Sequence, residues 1–459
     1  MTNYSKIIDE IRNLYLNDER PWIIGLSGGK DSTCITQMVY CMLKNLPLEK
    51  RTKEVHILTS DTLVENPMMD TRRREVCTKI EKQAQKDSLP IKVRVLRPEL
   101  GDTFWVNLIG RGYPSPNRWF RWCTDRLKIK PMTKYIKEQV KENGEVIILL
   151  GIRKSEGGTR AQAMKRYEIE NFRLRKHTTI QGAYIYAPIE DWKENEVWAY
   201  LLNVPSPWGE NNENLTRLYR KGDNEIQFII DESSPPSGGS RFGCWVCTVV
   251  ERDRVLEGSI EEGETWLSPL LEFRNWLKEI RDKPSFREEV RRSEKKKKII
   301  ADTLGRKFTP IQHRGHMVLG PFTFDTRHEI LRRLIKLQEK VANMDISLIS
   351  PEEIKAIETI WIYEGDNITS IADVLKSSAS DNFNANVSSS DNNGYLDELK
   401  RICNKHSVPL QLIERLLVVE KDLSSLSRRA GIYNRLERVI EEHVTNEMRD
   451  KAVGKSENS

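Results

Sequence analysis

The stretch "WIIGLSGGKDSTCITQMV", residues 22–39, decides how the rest of the chain is read. A short apolar run leads into a glycine pair and a lysine. Apolar residues at helical spacing follow: Cys34, Ile35, Met38, Val39, then Met42 and Leu43. The order is strand, tight turn, helix, which is the setting of a phosphate-binding loop. It is not the common G-x-x-x-x-G-K-[ST] loop. With Lys30 as its lysine, that pattern needs Gly at 24 and Ser or Thr at 31, where this chain has Ile24 and Asp31. Two glycines let backbone N–H groups approach a phosphate, and a helix starting near Asp31 adds its positive end. Ser27, Ser32 and Thr33 offer hydroxyls, and Lys30 offers a charge. An aspartate beside a polyphosphate makes sense if it helps to hold Mg²⁺, directly or through water. The alternative is plain helix capping, for which Asp and Ser are both suited, but capping needs neither the glycine pair nor the lysine. Ser27, Gly28, Gly29, Lys30, Asp31 and Ser32 are therefore expected to bind a polyphosphate with Mg²⁺.

Outward from this loop, "WIIGLS", "EVHILTS", "KVRVLRP", "EVIILLGIR" and "AYIYAPI" read as strands separated by helical patterns. Near-continuous apolar runs suit a sheet covered on both faces. The expected fold class is α/β, a mostly parallel sheet with flanking helices, plus a helical C-terminal region. Such sheets bind ligands beyond the carboxyl ends of their strands, where the glycine loop sits. Long irregular insertions are expected at roughly 100–130 and 203–255 and are more often functional than idle. Residues 1–258 form the expected nucleotide and cysteine domain, 259–375 a charged helical region, 376–394 a Ser/Asn/Asp-rich disordered linker, and 395–459 a small helical segment.

Composition narrows the class. The chain has 459 residues, enough for two or three domains, with 38 % hydrophobic and 31 % charged residues. Net charge is only +6, so an anionic partner must be met by local patches. The opening "MTNYSKIIDE" lacks a signal-peptide apolar core, and no run approaches the roughly 18 apolar residues of a membrane span. A cytoplasmic protein with no membrane partner is expected. An odd cysteine count in a reducing compartment argues for core, metal or reactive roles: Cys34, Cys41, Cys77, Cys123, Cys244, Cys247 and Cys403.

Three of these stand out. Cys244 and Cys247 form a C-x-x-C pair in "SRFGCWVCTVVERD", and Cys123 lies in "NRWFRWCTDRLKIKP". Thiolates so placed suit Zn²⁺ or an iron–sulfur cluster. A thioredoxin-like redox pair shares the spacing but needs a helix start after a strand, and "GGSRFG" is loop-like. Cys34 points with the apolar helix residues and reads as core, with a transient persulfide role as the other possibility. Cys41 and Cys77 read as packing.

The glycine loop resembles the PP-loop, S-G-G-x-D-[ST], of the ATP pyrophosphatase superfamily, whose members release pyrophosphate from ATP and transfer AMP to an acceptor; the resemblance implies that Ser27, Gly28, Gly29, Lys30, Asp31 and Ser32 bind ATP·Mg²⁺, with Lys30 and Asp31 as the catalytic pair. "SDTLVENP" (60–67), "GIRKSEGGTR" (151–160) and "PIEDWKENEVWAYL" (188–201) are similar to segments of its sulfonucleotide reductases. That likeness implies that Arg153 and Arg160 face phosphates and that Asp61 is a ligand or a turn residue. The cysteines resemble the cluster motif of adenylylsulfate reductases, with Trp122 where the first Cys of a pair would stand. The resemblance implies a [4Fe–4S] cluster held by Cys123, Cys244 and Cys247, with one iron open to sulfur; zinc and free thiols remain the alternatives. The reductases' late E-C-G-[IL]-H nucleophile has no counterpart, since Cys403 sits in "RICNKHS" beside Leu399 and Ile402 and reads as a helix-face residue. Over about residues 20–340 the chain most resembles the DndC-like sulfurtransferases of DNA phosphorothioation. This rests on "GLSGGKDST", "GRGYPSPNRWFRWCTDRLKIKP", "GIRKSE", "GGSRFGCWVCTVVERD" and "GPFTFDTRHEIL". The resemblance implies DNA as acceptor, a cysteine desulfurase as sulfur donor and other phosphorothioation proteins as partners. A phosphoadenylylsulfate or adenylylsulfate reductase, a tRNA thiolase and a non-catalytic scaffold are the rival readings.

Basic and aromatic residues interleave around Cys123: Arg111, Arg118, Arg121, Arg126, Lys128 and Lys130 with Tyr113, Trp119, Phe120 and Trp122. That mixture suits a nucleic-acid backbone with nearby bases. The run "REEVRRSEKKKK" (287–298) reads either as a solvated helix face or, with His313, Arg314 and His316, as a second DNA contact.

Overall fold

Four apolar residues in succession tolerate cover on both faces, so β1 (Trp22–Gly25) takes the middle of the sheet with every residue buried. It pairs in parallel with β2 (Val55–Ser60) on one side and β4 (Val146–Leu149) on the other. β3 (Ile91–Leu96) extends the sheet beyond β2. β6 (Ala183–Tyr186) lies parallel to β4, and β5 (Leu174–Lys176) closes the edge antiparallel to β6. The order is β3-β2-β1-β4-β6-β5. The computed structural model describes residues 3–156, 174–220, 243–294, 297–298, 312–313, 316–344, 346–364, 393–424 and 434–445.

Strand alternation feeds two apolar layers. Trp22, Ile24, Val55, Ile57, Ile147 and Leu149 pack with α1 (Asn3–Asn17), α2 (Lys30–Lys44) and α3 (Pro67–Lys86). Ile23, Leu58, Val146 and Ile148 pack on the other face with Met132 and Ile136 of α5 (Lys130–Asn143). This is the mostly parallel α/β sheet with helices on both faces, and all five expected strands are present. α2 is buried beyond its expected apolar stripe, because Thr36, Gln37 and Tyr40 are covered too. Gln37 Nε2 donates to the Val204 carbonyl at 2.9 Å and its Oε1 accepts from Asn212 at 3.1 Å, tying the 203–213 segment across the helix. Successive strands leave β1 in opposite directions, to β2 and to β4. The crevice at their carboxyl ends is thus the topological switch point.

At the opposite end of the sheet, Lys53 is buried over the Tyr15 ring (4.5 Å) and the Trp22 ring (5.1 Å). Burial lowers its ammonium pKa from 10.5 to about 8, against the pull of Asp18. Between those values the unfolded chain holds a proton that the folded chain releases. Stability therefore gains a rising component from about pH 8 to 10.5 and none from this group below pH 8. Urea melts of Lys53→Met are expected to lack that rise. An identical pH profile in wild type and variant would refute the assignment.

The chain divides into two compact units, Met1–Phe104 with Ser115–Lys278, and Trp105–Pro114 with Glu279–Ser459. The division falls after residue 278, whereas the sequence places it after 258, inside the helix Arg254–Glu261. Within the second unit, Trp105 Nε1 donates to the Leu348 carbonyl (2.6 Å) and Trp361 Nε1 to the Ile109 carbonyl (3.0 Å). Buried Arg327 of "DTRHEIL" pairs with Glu364 at 2.7 Å and donates to the Phe322 and Gly110 carbonyls. Helices Asn393–Lys405 and Leu410–Ser424 follow, with Cys403 buried on the first. Most of the expected linker 376–394 lies outside the described residues. Among the described residues no helix is long and apolar enough to cross a membrane.

Candidate active site

The loop after β1 is self-supporting. Leu26 N–H donates to the Leu58 carbonyl at 2.8 Å, continuing the β1–β2 ladder by one residue. The chain then turns through Gly28 at φ +80°, and extended Gly29 caps α2. Ser27 Oγ and Ser32 Oγ lie 2.9 Å apart, Ser27 N–H donates to Ser32 Oγ (3.2 Å), and Ser32 Oγ donates to the Gly29 carbonyl (3.0 Å). The loop is thereby held open before any anion arrives. A Cβ on Gly28 would meet nothing within 4 Å, so only the left-handed backbone opposes a side chain there. Gly28→Ala is expected to cost about 1–2 kcal/mol of stability and to weaken ATP binding. Unchanged urea and ATP titrations would contradict this.

Beneath the loop lies a buried ion-pair chain. Lys30 is fully buried, with Nζ 3.3 Å from Asp31 Oδ2 and 3.6 Å from Glu194. Arg153, 2 % exposed, donates through Nε to Asp31 Oδ1 at 2.6 Å and through Nη1 to Ser155 Oγ at 3.1 Å. Both Asp31 oxygens are thus taken by cations. Asp61, just past β2, accepts from Leu63 N–H (3.0 Å) and Arg97 Nε (2.9 Å) and lies 3.3 Å from Arg73. Neither carboxylate fits direct Mg²⁺ coordination as placed. Arg160 lies outside the described residues.

The pocket at the carboxyl ends of β1 and β2 is lined by Ser27, Gly28 and Thr33, by Thr59 and Ser60, and by Met69, Arg72, Arg73, Val76 and Cys77 of α3. Leu26, Glu65, Lys128, Trp208, Glu210 and Gly243 complete it. Lys30, Asp31, Asp61 and Arg153 hold the loops around the pocket and do not line it. The α3 residues carry no motif and escape sequence reading; only their place one strand after the glycine loop suggests them. Cys77, read from the sequence as packing, is buried enough to raise its thiol pKa to about 11 and also forms part of the pocket wall. Glu210 reaches across to Arg72 (3.0 Å) and Lys79 (2.7 Å), fastening the 203–213 segment beside α3.

The three singled-out cysteines come from distant segments to one place. Residues 243–245 lie alongside 64–66: Trp245 N–H donates to the Val64 carbonyl and Asn66 N–H to the Gly243 carbonyl, each at 3.0 Å. Cys244 Sγ is 3.3 Å from Thr62 Oγ1. Cys123 sits on α4 (Trp122–Thr124), which passes through a π-helical turn at Asp125–Ile129 into α5 and carries Lys128. Burial works against the charge on Lys128, but Glu65, Cys244, Cys123 and Cys247 outweigh it and raise its pKa. Burial and then Cys247 push the Cys123 thiol up to about 12, and burial and then Glu65 raise Cys244. Cys123 therefore lies near both Cys247 and Cys244. Among the described residues, no three His, Cys, Asp or Glu side chains converge as on a single metal ion. Convergence on one zinc brings sulfurs to about 3.8 Å of each other, from Zn–S bonds of about 2.3 Å. A four-iron cluster holds its thiolates further apart. The donor set, three half-buried thiols beside one ammonium, fits an anionic cluster by its chemistry.

Residues 21–250, half of the chain, match the phosphoadenosine phosphosulfate reductase domain. The chain belongs to that family. The matched span contains the glycine loop, the pocket and all three thiols. An uncharacterised protein of Methanocaldococcus jannaschii is 26 % identical over 265 residues, 58 % of this chain and 44 % of the relative. This chain thus spans under half the length of the curated relative it matches. Among solved structures, the phosphoadenylyl-sulfate reductase of Candida auris is 16 % identical, with a TM-score of 0.29, covering 45 % of this chain and 84 % of that one. The U34-tRNA thiolase NcsA of Methanococcus maripaludis, solved with its [4Fe-4S] cluster, is 12 % identical, with a TM-score of 0.28, covering 60 % and 80 %.

In this member of the reductase domain family, the basic residues near Cys123 have separate employments. Arg126 and Lys130 both pair with Asp102, and Lys128 faces the thiols. Arg111 belongs to the second unit and donates to Asn107 Oδ1 at 3.2 Å. Trp122 is buried, stacked on Phe104 with centroids 5.3 Å apart. In the run 287–298, Arg287 donates to the Arg281, Leu319 and Gly320 carbonyls and Arg292 pairs with Glu364 at 2.5 Å. Both are structural contacts. Lys295, Lys296 and Arg314 lie outside the described residues.

Proposed function

We propose that this chain is an ATP-dependent sulfurtransferase that places sulfur in the DNA backbone. The observation that carries this reading is continuity: Lys128, Glu65 and Gly243, neighbours of the three thiols, line the same pocket as Ser27 and Gly28. Nucleotide and sulfur chemistry then share one chamber. The loop N–H groups and the α2 terminus receive the β- and γ-phosphates and stabilise the charge that develops on leaving pyrophosphate. A non-bridging oxygen of a DNA phosphodiester attacks the α-phosphorus, the bond to pyrophosphate breaks, and the DNA phosphate becomes adenylylated. Hydrosulfide then attacks the DNA phosphorus, a P–S bond forms, and AMP departs with the former DNA oxygen. At the sulfide level this exchange is redox-neutral; a persulfide from a cysteine desulfurase would require two electrons from a thiol reductant. Cys123, Cys244 and Cys247 are the residues that would hold a [4Fe–4S] cluster, which supplies an iron open to a sulfur ligand. Lys128 would offset the cluster's negative charge and hold anionic sulfur beside the thiols. A cytoplasmic location and further phosphorothioation proteins as partners belong to the same proposal.

Transfer of ³⁵S by anaerobically prepared protein tests the reading. ATP-dependent label in DNA is the expected result. Label in tRNA instead, or sulfite from adenylylsulfate, would replace it with the thiolase or the reductase reading.

A further inference from the structure

Residues 117–121 form an exposed edge that is fastened at both ends. Asn117 Oδ1 accepts from the Trp119 and Phe120 N–H groups, each at 2.8 Å, and Asn117 N–H donates to the Phe120 carbonyl at 3.3 Å. This pre-formed turn leaves Trp119 72 % and Phe120 43 % exposed. Upstream, the Pro116 carbonyl accepts from Thr248 Oγ1 at 2.7 Å, one residue after Cys247. Downstream, buried Trp122 precedes Cys123. The edge therefore adjoins the segments that carry two of the three thiols, Cys247 and Cys123. Arg118 is exposed and Arg121 half-buried, and among the described residues neither guanidinium has an ion-pair partner. Their neighbours Arg126 and Lys130 share Asp102.

We propose that residues 117–121 are a stacking platform for single-stranded DNA, with an unpaired base lying on Trp119 and flanked by Phe120, and adjacent phosphates met by Arg118 and Arg121. The choice of DNA rests on the sulfurtransferase reading above, while the stacking geometry does not. An aromatic face accepts any base, and the two arginines match the charge of a phosphodiester on either side of it. A duplex keeps its bases stacked inside and offers no face to the ring. Lifting one base out of the stack brings its phosphate to the edge that adjoins the Cys123 and Cys247 segments.

The test is fluorescence anisotropy on the full chain with a labelled single-stranded DNA of mixed sequence and the duplex of the same sequence. Wild type is expected to bind the single strand more tightly. Trp119→Ala is expected to weaken it by about 5- to 150-fold, the range for loss of one base–aromatic stack, while Trp119→Phe retains most of the affinity. Arg118→Ala is expected to reduce the slope of log affinity against log salt by about 0.7, one phosphate contact. Trp119 is on the surface, so its variants should keep the wild-type melting temperature. Equal affinity of wild type and Trp119→Ala, tighter binding of the duplex, or no single-strand binding would overturn the platform. ATP binding by the same wild-type sample reports separately on the sulfurtransferase reading. Its absence would defeat that reading and leave the platform standing.

Discussion

Gly151→Ala should lower ATP turnover at least about 100-fold, because displacing a positioning element by even an ångström has that effect. A Cβ at this position would lie 2.6 Å from the Asp31 carbonyl carbon and oxygen and 2.7 Å from Ser32 N. All three are backbone atoms of the first turn of α2, so no side chain can swing away. The strand side cannot yield either, since β4 is registered to β1 from Trp22↔Ile147 to Ile24↔Leu149. The helix start must move, and with it the loop N–H groups and the Ser27–Ser32 contact. Overpacking of this kind destabilises a fold by about 1–3 kcal/mol, so a urea melt and an ATP assay should both register it. Gly28→Ala is the informative companion, because it strains the same loop with no collision. A Gly151→Ala protein with wild-type turnover would show that the loop position does not govern the chemistry. Arg153→Ala acts through charge: it leaves Asp31 and Lys30 buried without their third member, a loss of about 3–5 kcal/mol when a buried pair is broken.

Cys244→Ala is expected to remove most of the iron retained after anaerobic reconstitution and to reduce sulfur transfer to background, while ATP binding persists. The backbone around Cys244 is held by the Trp245–Val64 and Asn66–Gly243 hydrogen bonds, which do not involve the sulfur. The fold should therefore survive, and the loss can be assigned to the missing thiolate. Cys123→Ala and Cys247→Ala should behave alike, since each removes one of three ligands. Cys34→Ala is the contrasting case: Cys34 is fully buried in the α2 core, and its loss should lower stability and leave iron unchanged. Iron that stays bound in all three site variants, or that leaves with Cys34, would contradict the assignment.

The central strands were legible because β1 and β4 bury every residue and so read as short apolar runs. β5 was not legible. It is three residues long, two of them charged, and it exists as a strand only because β6 offers an open edge. The glycine loop announced its own turn, but not that Lys30 and Asp31 would be spent on Arg153 and Glu194. Residue type reveals a charge, whereas its partner depends on β4 ending opposite α2. The cysteines were legible as a set by type and spacing. Their meeting depends on 64–66 pairing with 243–245, a contact across nearly the whole first unit that no local pattern encodes. Lys128 was read among the basic residues for nucleic acid; the π-helical turn that carries it faces it toward the thiols instead.

The most direct test of the central claim is the fate of α-³²P-labelled ATP incubated with anaerobically prepared protein, single-stranded DNA and sulfide. A loop that activates an acceptor for sulfur exchange must yield AMP and pyrophosphate in step with phosphorothioate in the DNA. ADP and phosphate, or sulfur entering DNA with no AMP formed, would contradict it.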